Sequence, residues 1–219
     1  MASRPKHAEP RPQPRLYLLT RRLADAAAFR AELSAALEAG DVAAVLLRLA
    51  DVDERTQTNV AKALVAVTQA KDVALLLDGH AELVARAGCD GAHLTSVEAF
   101  NSALPTLKPD RIAGAGGLVT RHDAMTAAEA GADYVMFGEP DEHGTRPSFE
   151  AIEERISWWA EVFESPCVAY AASLEEIEAL VKAGADFIAL GDWIWREPAK
   201  IAAVVADAAS RVKLPETAV

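Results

Sequence analysis

At 219 residues, 51% of them hydrophobic and 25% charged, the chain matches a single soluble globular unit and leaves no space for a second of ordinary size. A formal net charge of −11 argues against nucleic acid as a partner, because an acidic surface repels phosphate backbones. No apolar run approaches the ~20 residues that span a bilayer, and the two cysteines, Cys89 and Cys167, predict buried thiols in a reducing cytoplasm rather than a disulfide.

Met1 to Pro14 holds four prolines with Arg4, Lys6 and Arg11 and has no apolar centre. That composition excludes a secretory signal peptide and predicts a disordered tail over 1–14. Eight apolar strands follow: Leu16–Leu19, Val42–Leu47, Val73–Leu77, Gly91–Leu94, Arg111–Ala115, Tyr134–Phe137, Cys167–Tyr170 and Phe187–Leu190. Most are continuous apolar runs, the signature of strands buried on both faces. Helical periodicity lies between them, over Asp25–Glu38, Asn59–Gln69, Ser96–Leu104 and Ser173–Lys182. Ser173 followed by Glu176 predicts a capping box, and a last helix runs from Pro198 to Val212. A second short tail is expected over 213–219.

One phrase recurs along this series. Ala39-Gly40-Asp41 returns as Ala87-Gly88-Cys89-Asp90, Ala130-Gly131-Ala132-Asp133 and Ala183-Gly184-Ala185-Asp186, each time with an apolar strand behind it. In each copy a Gly in the left-handed conformation can stop the helix. The copies stand about two strand-plus-helix units apart, so four of them imply eight units. The fold class is α/β, a single (β/α)8 TIM barrel over 15–212.

In such a barrel the chemistry sits on the loops that follow the strands. These carry Arg48, Asp51 and Asp53; Asp78, Gly79 and His80; His93 through Glu98; Gly116, Gly117, Arg121 and His122; Glu139, Asp141, His143, Thr145 and Arg146; Ala171, Ala172 and Ser173; and Asp192 with Trp193. Gly114-Ala115-Gly116-Gly117 suits either a phosphate cradle or a tight turn, and lacks the surroundings of a dinucleotide fingerprint. His80, His93, His122 and His143, with Asp78, Glu98, Glu139, Asp141 and Asp192, could form a metal or acid–base site, though no zinc-protease motif supports it. None of Lys62, Lys71, Lys108, Lys182, Lys200 and Lys213 ends a strand, which argues against a Schiff-base aldolase. Trp193 and Trp195 are placed to cover a ligand. Trp158 and Trp159 adjoin on one helix, so one of them is available to a subunit interface.

Two segments bear a family resemblance. Leu75-Leu76-Leu77-Asp78 through Gly91-Ala92-His93-Leu94, and Gly131-Ala132-Asp133-Tyr134-Val135-Met136-Phe137-Gly138 with Thr145-Arg146-Pro147, resemble the thiamine phosphate synthase and thiazole tautomerase family. The resemblance spans Leu16 to about Val205. It implies condensation of a pyrimidine methyl diphosphate with a thiazole phosphate, releasing pyrophosphate, in a cytoplasmic homo-oligomer that uses Mg2+. Carried over residue by residue, it makes Arg48 and Arg146 catalytic, with Arg48 gripping the diphosphate, and assigns Asp78 and Glu98 to the magnesium. Thr145, Gly116, Gly117, Ala171, Ala172 and Asp192 fall to substrate.

The chain also departs from the family pattern. Leu46 and Ala50 replace a Gln and a Lys, Leu77 and Gly79 an Asn and an Arg, and Arg146 a Lys. Ala171-Ala172 stands for Gly-Gly and Asp192 for a Ser at the phosphate cup, and Val119 for the tautomerase His. Two methyl groups and a carboxylate at that cup predict impaired synthesis of thiamine phosphate. A ligand-binding or regulatory relative, and a metal-assisted isomerase or hydrolase built on the histidines, stand as alternatives.

Overall fold

A computed structural model of the chain describes residues 12–141 and 143–213. Eight parallel strands close into a barrel in sequence order, with β8 pairing back onto β1. They are β1 (Arg15–Leu19), β2 (Val42–Leu47), β3 (Ala74–Asp78), β4 (Gly91–Leu94), β5 (Ile112–Ala115), β6 (Tyr134–Phe137), β7 (Cys167–Ala171) and β8 (Phe187–Leu190). Outside run α1 (Phe29–Ala39), α2 (Glu54–Gln69), α3 (Val84–Ala87), α4 (Val97–Leu107), α5 (Arg121–Glu129), α6 (Phe149–Val162), α7 (Ile177–Ala183) and α8 (Ile201–Arg211). Every predicted strand forms, with ends displaced by at most a residue. The predicted tails lie outside the described residues over 1–11 and 214–219.

Side-chain parity along the strands separates two cores. Odd positions of β1 and even positions of β2, β3, β6 and β7 point into the barrel: Tyr17, Leu19, Ala44, Leu46, Leu76, Tyr134, Met136, Val168 and Tyr170 form one buried cluster with Ala189. The alternate positions pack against the helices in a larger cluster that includes Leu18, Val45, Leu77, Val135, Ala169 and Ala171. The barrel interior is thus filled, and three of its side chains end in a phenol.

The recurring Gly-x-Asp phrase ties the barrel's N-terminal rim. Asp90 accepts from the Leu75 N–H at 2.8 Å, Asp133 from the Ala113 N–H at 2.7 Å, and Asp186 from the Cys167 N–H at 2.8 Å. Each carboxylate meets a backbone donor at the start of the preceding strand, which that strand leaves unpaired. The first copy differs. Gly40 has an extended backbone, φ −160°, and does not cap α1 in the left-handed form, as Gly88 and Gly184 cap their helices. A Cβ on Gly40 would lie 3.0 Å from Ala209 and 3.2 Å from Val205, so this glycine answers to the close packing of α8. Asp41 is exposed and pairs with Arg15.

The predicted capping box at Ser173 is absent. Ser173 makes no cap hydrogen bond, and the Glu176 carboxylate accepts instead from the Ala172 N–H. A true capping box forms at Thr120 and Asp123, at the start of α5. Both cysteines are buried and neither is in a disulfide. No described helix is long and apolar enough to cross a membrane.

Candidate active site

The C-terminal mouth is assembled from strand ends. Arg48 is the first residue beyond β2, and its N–H donates to the hydroxyl of the fully buried Thr20 at 2.9 Å. That anchor aims the guanidinium across the mouth to Asp78, the last residue of β3, with Nε 3.3 Å from Oδ2. Both side chains keep about a quarter of their surface in solvent, at 24% and 23%. A charged pair at this depth is accessible to an incoming anion yet only partly screened.

Beneath it runs a polar chain that crosses the barrel. The Tyr17 and Tyr134 hydroxyls are 2.8 Å apart, and Tyr134 Oη lies 2.9 Å from His93 Nδ1. The His93 ring stacks on Tyr134. Glycines make room for these groups: a Cβ on Gly114 would lie 2.1 Å from the Tyr134 ring, and one on Gly116 would lie 2.4 Å from both His93 Nε2 and Glu139 Oε1. The Glu139 carboxylate also accepts from the Gly117 N–H at 2.5 Å.

Burial sets the protonation of this chain. Desolvation pushes the Glu139 carboxyl up to about 7 against the opposing Gly117 hydrogen bond, with the Asp78 charge adding to the rise. Desolvation also pushes the His93 imidazole down to about 4, and the Tyr17 and Tyr134 phenols rise well out of the physiological range. At neutral pH the chain therefore holds a neutral imidazole, two neutral phenols and one carboxyl poised to exchange a proton.

On the opposite side Arg146 leaves the loop after β6 and meets Glu176. Its Nη1 lies 3.1 Å from both carboxylate oxygens and its Nη2 lies 3.1 Å from Oε2. Thr145 is exposed, and its N–H and that of His143 are both held by the Asp141 carboxylate at 2.8 and 2.9 Å. The loop thus closes on its own Asp.

Comparison with known proteins gives this geometry a lineage. Residues 16–194 match the family model described as thiamine monophosphate synthase. The chain belongs to the thiamine monophosphate synthase family. It is 43% identical to a thiamine-phosphate synthase of Rhodospirillum centenum, an alignment covering 88% of this chain and 95% of that one. It is 38% identical to a thiamine-phosphate synthase of Hyphomonas neptunium, over 90% of this chain and 93% of the other. Among solved structures, a thiamine phosphate pyrophosphorylase from Pyrococcus furiosus superposes with a TM-score of 0.75 at 20% identity, covering 91% and 96% of the two chains. That last likeness shows the fold alone.

Within the synthase family frame, the site residues read from the sequence do not all converge. Arg48 and Asp78 come together, while Arg146 lies beside the β7 loop through Glu176 and Ala172. Glu98 is exposed in the first turn of α4, and no hydrogen bond or ion pair joins it to Asp78 among the described residues. Asp192 is exposed in the 3-10 turn Asp192–Trp195, near enough for its charge to raise the Tyr170 phenol after desolvation. Gly116 and Gly117 serve His93 and Glu139, and the Gly117 N–H, with φ +61° and a close approach to Thr95, is already occupied. The Ala171 methyl is buried in the helix-facing core and does not crowd the mouth. Only Ala172 is exposed there.

The histidines are dispersed. His93 is buried, His80 pairs with Glu82 at 3.3 Å, and His122 and His143 are exposed on α5 and the β6 loop. No group of three or more His, Cys, Asp or Glu able to hold a metal ion occurs among the described residues. Trp195 is a core residue rather than a ligand cover, edge-on to Phe29 with Nε1 donating to the Leu19 carbonyl at 2.7 Å. Trp193 donates to the Ala171 carbonyl at 3.0 Å. Trp159 is buried, whereas Trp158 keeps partial exposure and lies under the Arg121 guanidinium, 4.7 Å from the ring centroid.

Proposed function

We propose that this chain condenses a pyrimidine methyl diphosphate with a thiazole phosphate to give thiamine phosphate and pyrophosphate. The observation that carries this reading is the Arg48–Asp78 pair: a guanidinium fixed at the C-terminal mouth and held by a carboxylate loosely enough to exchange partners. A diphosphate offers the guanidinium a bidentate, more highly charged acceptor than Asp78 does, so Arg48 turns to it and Asp78 is released. The curated names of relatives that align over almost their whole length support the same assignment.

Asp78 and Glu98 are hard-oxygen donors of the kind Mg2+ takes. Such an ion normally draws its remaining ligands from water and substrate phosphates rather than from a protein cage. The donor set fits that mode, and when bound the ion would neutralise charge building on the leaving diphosphate. The chain's own residues do the rest: Arg48 grips and orients, the Tyr17–Tyr134–His93 floor presents uncharged polar groups, and Glu139 offers a carboxylate on the side where a pyrimidine cation would form. The same reading places the protein in the cytoplasm as a homo-oligomer, for which the partly exposed Trp158 face of α6 is a fitting contact.

Glu176, already filling donors that a substrate phosphate would use, favours a second reading, a ligand-binding relative without turnover. Calorimetry with the pyrimidine diphosphate and Mg2+ tests the carrying observation. Arg48→Ala is expected to weaken binding about 100-fold or more, the scale of a lost charged hydrogen-bond pair. Equal affinity in the two proteins would remove Arg48 from the site.

A further inference from the structure

Between β7 and α7 the chain builds a receptor for an oxyanion and fills it from within. Three donors converge on the Glu176 carboxylate: Arg146 Nη1 and Nη2, each at 3.1 Å, and the Ala172 N–H at 2.8 Å. The two side chains are only 19% and 20% exposed, so this is no loose surface pair. The sequence gives Glu176 another task, capping the turn with Ser173, and the structure does not use it so. Arg146 Nε is buried with no hydrogen-bond partner. The end of the guanidinium and the Ala172 N–H thus present three donors to a single oxyanion. A phosphate group can take the same three donors and brings more charge to the guanidinium than a carboxylate does.

We propose that Glu176 is an internal competitor that sets the affinity of this subsite: its carboxylate occupies the oxyanion subsite formed by Arg146 and Ala172, and a phosphate group binds there only by displacing it. The subsite itself is argued from these contacts. That its phosphate belongs to the thiazole substrate rests on the function proposed above. An internal competitor reduces apparent affinity by the fraction of molecules in which the subsite is vacant. That factor falls on every anion alike, so monovalent anions, which a guanidinium holds weakly to begin with, stay below useful occupancy while dianionic phosphate is retained. The nearby Asp192 works in the same direction, since its charge is felt at Tyr170, the residue over whose ring Arg146 lies at 5.7 Å.

The test is calorimetric titration of the full-length protein with inorganic phosphate, using wild type, Glu176→Gln, Glu176→Ala and the double variant Glu176→Gln/Arg146→Gln. Both single variants are expected to bind phosphate at least about tenfold more tightly than wild type, and the double variant is expected to lose the gain. In turnover, Glu176→Gln is expected to lower KM for thiazole phosphate and to leave KM for the pyrimidine diphosphate unchanged. If both folded single variants bind phosphate no more tightly than wild type, Glu176 is not a competitor and the proposal fails. It fails equally if the gain survives in the double variant. An inactive protein would refute the proposed reaction while leaving the phosphate titration readable.

Discussion

Glu139 and His93 meet at Gly116 with opposite responses to burial. The Glu139 carboxyl rises from 4.5 to about 7 on folding, so between those values the folded state holds more protons than the unfolded one, and stability falls as pH rises. The His93 imidazole falls from 6.5 to about 4, so over that range the unfolded state holds more protons and stability rises with pH. The two slopes oppose each other through most of the acidic range. Glu139→Gln keeps an acceptor for the Gly117 N–H and removes the first slope. Relative to wild type it is expected to gain stability progressively above pH 4.5, reaching on the order of 2 kcal/mol above pH 7 once the partial solvent exposure of Glu139 is discounted. Urea unfolding of both proteins at a series of pH values checks this, and a pH-independent difference would show that Glu139 does not titrate near neutrality. Arg48 and Asp78 were legible in the sequence because both follow apolar runs, where barrel chemistry must lie. Tyr17, Tyr134 and Tyr170 were not, because inside an apolar strand a tyrosine reads as one more hydrophobe. Glu176 was misread because its spacing from Ser173 satisfies a local rule that a more distant guanidinium overrides.

At the scale of elements, the strands were predicted closely because a barrel strand is buried on both faces and bounded by Gly, Asp or charge. Helix ends were harder. The α2 helix begins at Glu54 rather than Asn59, its start fixed by Asp53, whose carboxylate accepts from the Thr56 N–H at 3.0 Å. Asp53 thus serves as a cap on a loop that the sequence reserved for chemistry. The α4 helix runs through Pro105 to Leu107, where the sequence suggests a stop at Leu104. The buried stripe of Phe100, Ala103 and Leu107 continues at helical spacing and outweighs one missing donor. The Asp clamps were visible only as a repeat; their work is a matter of strand ends. Asp90→Ala leaves the N–H of Leu75, a residue of 0% exposure, without its partner, and is expected to destabilise by about 1–3 kcal/mol. Asp41→Ala, at a side chain 72% exposed, is expected to cost less than about 1 kcal/mol. Denaturant midpoints distinguish the two, and equal losses would contradict a clamping role.

The whole molecule is acidic, −11 overall, yet each side of its mouth presents an arginine. Arg48 is held by Asp78 and Arg146 by Glu176, so the cations are stored in pairs rather than left to bind stray anions. On the proposed reading this arrangement reconciles a chain of the synthase family with a phosphate cup that departs from the family pattern: arginine donors are present, and the chain's own carboxylates hold them until a substrate takes their place. The most direct test is formation of thiamine phosphate by the purified protein from the pyrimidine diphosphate and thiazole phosphate with Mg2+. The account predicts steady turnover within about a hundredfold of the ~10 s⁻¹ typical of enzymes, with one pyrophosphate released per product. A folded protein that forms no thiamine phosphate above the uncatalysed rate would contradict it.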